Sequence, residues 1–345
     1  MLFRSDNALT IFTELKDNES ASEAYFLRAM CKMGTGRDGV ADLEQFLALS
    51  PDDPSNVFLA NGFIAASYIN AKNDGAALPY GERFWQTFQP GSFEKLDAGM
   101  LSSDVGQSLL TAVGQLFVRA KAREKALSIT SKACEIADKV SEQRAIAALQ
   151  EHAWALVTLE TPRLAVPFLE AALKRAVAAK LRREEADVSS ALGNVYLYHL
   201  DELERSGPFL KRALELANET AATDEGLLYH TLNDVAQYEF RSINFAAALA
   251  DYDRALAIAV RIGASDADQA NILYNIAQIQ FGLGDDAKGD LALEKALEKA
   301  KGGASPAIEA SVISDQTLRR IRKENGNVDP QWVTERMTTA TRLIK

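Results

Sequence analysis

The stretch Asn271–Lys301, NILYNIAQIQFGLGDDAKGDLALEKALEKAK, determines how the rest of the chain is interpreted. Apolar residues recur in it at helical spacing on both sides of the segment Gly282–Asp285. Glycines at the end of a periodic segment are typical of a turn between two helices. The stretch therefore predicts two amphipathic helices joined as a hairpin.

One alanine in each predicted second helix sets the period of a repeat, with steps of 39, 41, 42 and 41 residues. Seven residues before each repeat alanine lies another small residue. Positions i and i+7 share a helix face, so small residues at both allow a neighbouring helix to approach closely. The five pairs are Ala126 and Ala133, Ala165 and Ala172, Ser206 and Ala213, Ala248 and Ala255, and Gly289 and Ala296.

Three sets of motifs resemble the tetratricopeptide repeat in its longer-period form. They are YNIA at 274–277 with LGD at 283–285 and KALE at 295–298, LGNVY at 192–196 with KRALE at 211–215, and VGQLF at 113–117 with KA at 132–133. The second set has one extra residue, which the sequence places in the turn. The resemblance covers roughly residues 20–302, weakly before 106 and strongly after 186. The chain departs from the family where Ala153, Ala236 and Ala277 replace a first-helix glycine and His152 replaces a leucine.

This resemblance implies an all-α fold, a right-handed superhelical solenoid of about seven antiparallel helix hairpins. We expect hairpins in residues 1–90, beginning with a half repeat at 1–18, and an irregular segment at 91–106. A regular array of about five repeats is expected at 107–302, followed by capping helices at 303–345. The half repeat has two interpretations, a natural start that packs on the next repeat or a segment cut from a longer protein.

Composition narrows the classes of function. The 345 residues carry a formal net charge of -10, which disfavours binding to nucleic acid or an anionic membrane. The chain has three scattered histidines, two distant cysteines and no HExxH, GxSxG, CxxC or phosphate-loop motif. We therefore expect no catalytic or metal site and no cofactor. No signal peptide or long apolar run is present, so a cytoplasmic location is expected.

A row of polar side chains is the strongest candidate for a site. It lies 18 residues before each repeat alanine, with one residue allowed for the longer unit. The resemblance places this position on the concave side of the superhelix. Amides both donate and accept hydrogen bonds and suit the backbone of an extended peptide, and a tryptophan suits an anchor. The row is Gln115, Trp154, Asn194, Gln237 and Gln278, with Asn233, Asn271 and Asn275 beside it.

The simpler interpretation is that these amides face solvent on the concave side without binding a ligand, and that Trp154 packs between repeats. The favoured function is a scaffold that binds an extended peptide or a partner helix in the concave groove. One alternative is a ligand- or peptide-responsive regulatory segment of a larger signalling or transcription-regulating protein. Another is an architectural subunit of an assembly. The identity of the partner, the pathway and the oligomeric state do not follow from the sequence.

Overall fold

The computed structural model describes residues 11–12, 16–49, 52–88, 92, 96, 98–101, 103–220, 223–302 and 305–344. All regular elements in these ranges are helices, so the all-α prediction is confirmed. The chain divides into two compact units, Met1–Ala179 and Lys180–Lys345. Most of the helix predicted at 1–18 lies outside the described residues, and the boundary predicted at 91–106 stays a prediction.

The first unit consists of helix pairs that pack as hairpins in chain order, with one four-residue helix between the second and third pairs. Its helices are α1 Asn18–Met33, α2 Val40–Ala48, α3 Pro54–Asn70, α4 Asp74–Gln86, α5 Ala98–Leu101, α6 Asp104–Arg119, α7 Arg123–Ala137, α8 Glu142–Thr158 and α9 Pro162–Ala178.

The second unit repeats the same arrangement and ends in the pair predicted to cap the array. Its helices are α10 Arg182–Asn194, continued by a π-helical turn at Val195–His199, α11 Leu203–Thr220, α12 Glu225–Arg241, α13 Phe245–Arg261, α14 Asp266–Gly282, α15 Asp286–Gly302, α16 Pro306–Lys323 and α17 Pro330–Leu343. No described helix is long and apolar enough to cross a membrane.

Local signals explain where several helices begin. Asp53 caps α3, because its side chain accepts hydrogen bonds from the backbone N–H groups of Ser55 and Asn56 at 2.9 and 3.1 Å. Pro54 occupies the first position of α3, where no intrahelical N–H bond is lost. Ser265 caps α14 in the same way through the N–H of Asp268. These caps fix the residue at which α3 and α14 begin, and so which of their side chains face the core.

The small residues that define the period lie in the core. All ten are buried, as their predicted role in close helix packing requires. Gly193 shows how close the approach becomes, since a methyl group there would lie 2.5 Å from Cγ of Leu210. The Ser206 hydroxyl donates to the Gly193 carbonyl at 2.9 Å across the same contact. Contact between first and second helices thus depends on small side chains.

The sequence placed the extra residue of the unit with LGNVY and KRALE in the turn between its two helices. The structure places it elsewhere. It is taken up at the end of α10, where the backbone N–H of Leu200 donates to the Val195 carbonyl at 3.0 Å. This five-residue spacing is a π turn, which absorbs one inserted residue without breaking the helix. Tyr196 within it is fully buried and stacks on Phe209. The turn re-aims the side chains that follow Asn194.

Candidate functional site

The predicted row occupies the same level of successive first helices. Gln115 and Trp154 lie on α6 and α8 of the first unit. The other members lie on α10, α12 and α14 of the second unit, and their neighbours Asn233, Asn271 and Asn275 lie on α12 and α14. The candidate site therefore has two parts, one in each unit.

Three amides of the row donate to a carboxylate on the next first helix. We call this arrangement the amide–carboxylate ladder. Its bonds run from Gln115 Nε2 to Glu151 Oε2 at 2.9 Å, from Asn194 Nδ2 to Asp234 Oδ2 at 2.9 Å, and from Gln278 Nε2 to Asp315 Oδ2 at 2.6 Å. A hydrogen bond to an ionised carboxylate is stronger than one between neutral groups, so the ladder ties adjacent repeats together.

Asp234 is the centre of the ladder in the second unit. Its Oδ2 accepts from the Ser190 hydroxyl at 2.5 Å as well as from Asn194. Burial raises the pKa of the Asp234 carboxyl, and the two hydrogen bonds oppose that rise by stabilising the charged form. The Oδ1 atoms of Asn194 and Asn233 are buried and have no hydrogen-bond partner among the described residues. The cluster thus retains one unused acceptor, Asn194 Oδ1, beside a carboxylate.

Gln237 and Asn275 meet through a tyrosine that the sequence did not single out. The hydroxyl of Tyr252, on α13, donates to Gln237 Oε1 at 2.7 Å. Burial raises the pKa of Tyr252, while a hydrogen bond from Asn275 favours its ionised form. The Tyr252 ring is completely buried. A core residue of a second helix therefore orients Gln237 of the row and its neighbour Asn275, and this role was not visible from their spacing.

The first unit places Gln115 and Trp154 around one pocket of about 340 Å³. Glu151 and Arg119 also line it, and the guanidinium of Arg119 makes two hydrogen bonds to Asp74. Trp154 exposes 40% of its surface. That exposure does not agree with the interpretation that Trp154 is packed in an inter-repeat core. The indole instead forms part of the wall of an open pocket.

Two predicted residues stand apart from the ladder. Asn271 is exposed on α14, and Asn233 is half-buried on α12. Neither makes a hydrogen bond to a side chain in the described part of the chain. Substituting either amide therefore breaks no side-chain hydrogen bond within the described part of the chain.

Sequence reasoning missed two of the three carboxylates that accept hydrogen bonds from the row, Glu151 and Asp315. Glu151 precedes Trp154 by three residues, so the two share a helix face. Reading the position three residues before Trp154 would have revealed Glu151. Tyr198 was missed as well. It is 48% exposed in the π turn, and partial burial together with the Asp234 carboxylate raises the pKa of its hydroxyl.

The surface around the row presents polar and aromatic side chains. The described residues contain no group of three or more His, Cys, Asp or Glu side chains arranged to hold a metal ion. His152, the family departure noted above, is buried, and its Nδ1 lies 2.8 Å from the Thr130 hydroxyl. It is packed in the core of the first unit. The surface offers alternating amides, carboxylates and aromatic rings, which suit hydrogen-bond donors and apolar groups of a ligand.

Comparison with known proteins gives the fold. No protein-family model matches the sequence, and no curated protein matches it significantly. Solved structures do match. The apo form of RapI has a TM-score of 0.59 at 13% identity, over 83% of this chain and 98% of that one. The apo quorum sensor NprR from B. thuringiensis has a TM-score of 0.55 at 14% identity, over 96% and 82% of the two chains.

A third match is the Rap conjugation gene regulator of the plasmid pLS20 in complex with the Phr* peptide. Its TM-score is 0.50 at 12% identity, over 94% of this chain and 93% of that one. The fold is TPR-like. The helix hairpins, the period near 41 residues and the buried small residues of this TPR-like chain all follow from that architecture.

Proposed function

We propose that this TPR-like protein is a binding module for an extended peptide rather than an enzyme. The observation that carries the proposal is the amide–carboxylate ladder with the unused acceptor of Asn194 beside Asp234, and a second unused acceptor at Asn233 on the same helix as Asp234. An unsatisfied buried acceptor costs about 1–3 kcal/mol, which a donor from a ligand can recover. An extended peptide presents backbone N–H groups along its length and supplies such donors.

The charge of the ladder favours a particular kind of peptide. Glu151, Asp234 and Asp315 all lie on first helices, so the surface attracts donors and positive charge. The chain as a whole carries a net charge of -10, which adds a long-range attraction for basic ligands. We therefore expect peptides with basic or donor-rich side chains to bind more tightly than acidic ones.

The structural neighbours support a peptide as ligand. One neighbour was solved with the Phr* peptide, and another is described as a quorum sensor. Their identity to this chain is 12% and 14%, so they support the class of ligand and not its sequence.

The test uses the two amides that have no internal role. A pool of fluorescent heptapeptides is screened against the wild type, and the best binder is titrated against the double variant Asn233→Ala and Asn271→Ala. We expect affinity to fall at least about tenfold, which corresponds to roughly 1.4 kcal/mol. The melting temperature should stay close to that of the wild type, because neither amide bonds another described side chain.

The matched control is Gln331→Ala on α17, an exposed amide outside the row. It should bind the peptide like the wild type. Equal affinity of the double variant and the wild type would refute the assignment of the site. Absence of any binder in the pool would count against a peptide as ligand.

A regulatory role is the second candidate, favoured because two neighbours are named as a sensor and a gene regulator. A sensor must differ between its free and bound states. Hydrogen exchange of the protein with and without the selected peptide tests this role. Protection confined to the contact residues would indicate a passive scaffold, whereas protection spread over whole helices would indicate a regulator.

A further inference from the structure

A second pocket lies in the first unit, away from the row. It has a volume of about 830 Å³ and is walled by the second helices α2 and α4 and by the start of α3. Pockets of this size hold small organic ligands or short peptides. Leu96, from the segment predicted to be irregular, is buried and forms part of its wall.

One side of this pocket carries an uncompensated carboxylate. Glu44 Oε1 accepts from the hydroxyls of Tyr80 at 2.7 Å and Tyr68 at 3.4 Å. Burial and the bond to Glu44 raise the pKa of Tyr80 to about 12, so its hydroxyl stays neutral and keeps donating. No cation among the described residues pairs with Glu44. Its negative charge is held in place by neutral donors and faces the pocket without a counter-charge.

The pocket also carries an uncompensated cation. Arg83 is exposed on α4 and also lines the pocket. Its guanidinium lies over the ring of Tyr80, at 5.5 Å from the ring centroid. In the described part of the chain Arg83 forms no ion pair. Opposite charges thus flank one tyrosine, and each lacks a partner.

The innermost polar residue of the pocket is Asn61. It is 1% exposed, its Nδ2 donates to the Val57 carbonyl at 2.8 Å, and its Oδ1 has no partner. The remaining wall is mixed, with apolar side chains such as Leu47 and Val57, a second carboxylate at Asp52, and the polar residues Gln86, Thr87 and Ser92. The pocket therefore combines two carboxylates, a cation, an unused acceptor and apolar surface.

We propose that this pocket binds a short zwitterionic peptide of two or three residues with apolar side chains. The terminal ammonium group pairs with Glu44, and the terminal carboxylate pairs with Arg83, whose planar fork matches a carboxylate. The apolar side chains cover Leu47, Val57 and Leu96. A donor of the ligand that reaches Asn61 satisfies its oxygen. This site is independent of the row in the second unit.

The experiment titrates the full chain with leucylleucine by calorimetry, alongside its N-acetylated and its C-amidated forms. We expect both derivatives to bind at least about tenfold more weakly than the free dipeptide. Arg83→Gln should lose the preference for the free carboxylate, and Glu44→Gln should lose the preference for the free amine. The control is Arg37→Gln, an exposed arginine that does not line the pocket.

Asn61→Leu separates binding from folding. It removes an unsatisfied oxygen, so the melting temperature should stay or rise while affinity for the dipeptide falls. The double variant Asn233→Ala and Asn271→Ala should keep dipeptide binding, which separates this pocket from the proposed groove. No binding at millimolar dipeptide, binding of either derivative as tight as that of the free dipeptide, or wild-type affinity of Arg83→Gln would each overturn the proposal.

Discussion

The side-chain amide of Asn194 donates to the carboxylate of Asp234 at 2.9 Å, across two neighbouring first helices. The Ser190 hydroxyl donates to the same oxygen. A candidate binding residue is therefore already engaged in a contact between repeats. Ligand binding and the packing of repeats share this carboxylate, and variants of it should affect both.

Asp234→Asn is expected to stabilise the protein near pH 7. The folded-state pKa of Asp234 lies above its ordinary value of 3.8, so the folded state holds more protons than the unfolded state at pH values between the two. The contribution of Asp234 to stability therefore declines as the pH rises from about 3.8 through the folded-state pKa. An uncharged isostere removes this loss, and we expect a gain on the order of 1 kcal/mol at neutral pH. Urea unfolding at about pH 4 and pH 7 measures it.

The same variant should bind the selected peptide more weakly, because the carboxylate charge is gone. Higher stability combined with lower affinity is the expected signature of a carboxylate kept for binding. Lower stability at neutral pH would instead mean that the ladder bonds outweigh the cost of burying the charge.

His152 should make the first unit sensitive to acid. Burial lowers its pKa below 6.5, so the unfolded state binds the proton more readily than the folded state. Stability is then complete above about pH 6.5 and declines as the pH falls through 6.5 towards the folded-state pKa. His152→Leu should flatten this dependence between about pH 7.5 and pH 5, as followed by urea midpoints. A pH dependence of the urea midpoint that His152→Leu leaves unchanged would contradict this role of His152.

Gly193→Ala should destabilise the second unit by about 1–3 kcal/mol, because the added methyl group overlaps Leu210 in a filled core. The matched substitution Gly75→Ala meets no atom nearer than 3.8 Å and should be neutral or favourable, since alanine has the higher helix propensity. Chemical unfolding of both variants checks the difference. Equal effects at the two sites would show that the close contact at Gly193 relaxes without cost.

Ile243→Asn should stabilise the turn between α12 and α13 by about 0.5–1 kcal/mol. Ile243 has φ of 61°, a left-handed conformation that strains a β-branched residue, and it is 76% exposed. Gly284→Ala makes the opposite change, because it puts a side chain at a left-handed position with φ of 80° in the turn before α15. It should destabilise the protein. Thermal unfolding of the two variants gives the comparison, and a loss of stability in Ile243→Asn would show that its side chain makes a needed contact.

Periodicity made the architecture predictable. Ala213 and Ser206, like the other pairs of small residues, mark a buried face by their spacing alone, because a helix returns to the same face every seven residues. The all-α hairpin fold followed from that pattern, and so did the level of the row on successive first helices. Spacing could also have located Glu151, which shares a helix face with Trp154.

Other features depended on contacts that spacing does not encode. The extra residue lies in a π turn because the N–H of Leu200 bonds the carbonyl of Val195. From the sequence, we had expected it in the loop between the two helices. The bridge from Gln237 to Asn275 runs through Tyr252, a core residue of another helix.

The sequence by itself determined the helices, their pairing and the face on which polar residues gather, since these depend on periodic burial within one chain segment. Only the tertiary structure decided which amides remain available. Gln115, Asn194 and Gln278 donate to carboxylates of the next repeat, whereas Asn271 does not. Whether a side chain is engaged depends on what a neighbouring helix presents to it, and that neighbour is set by packing between repeats.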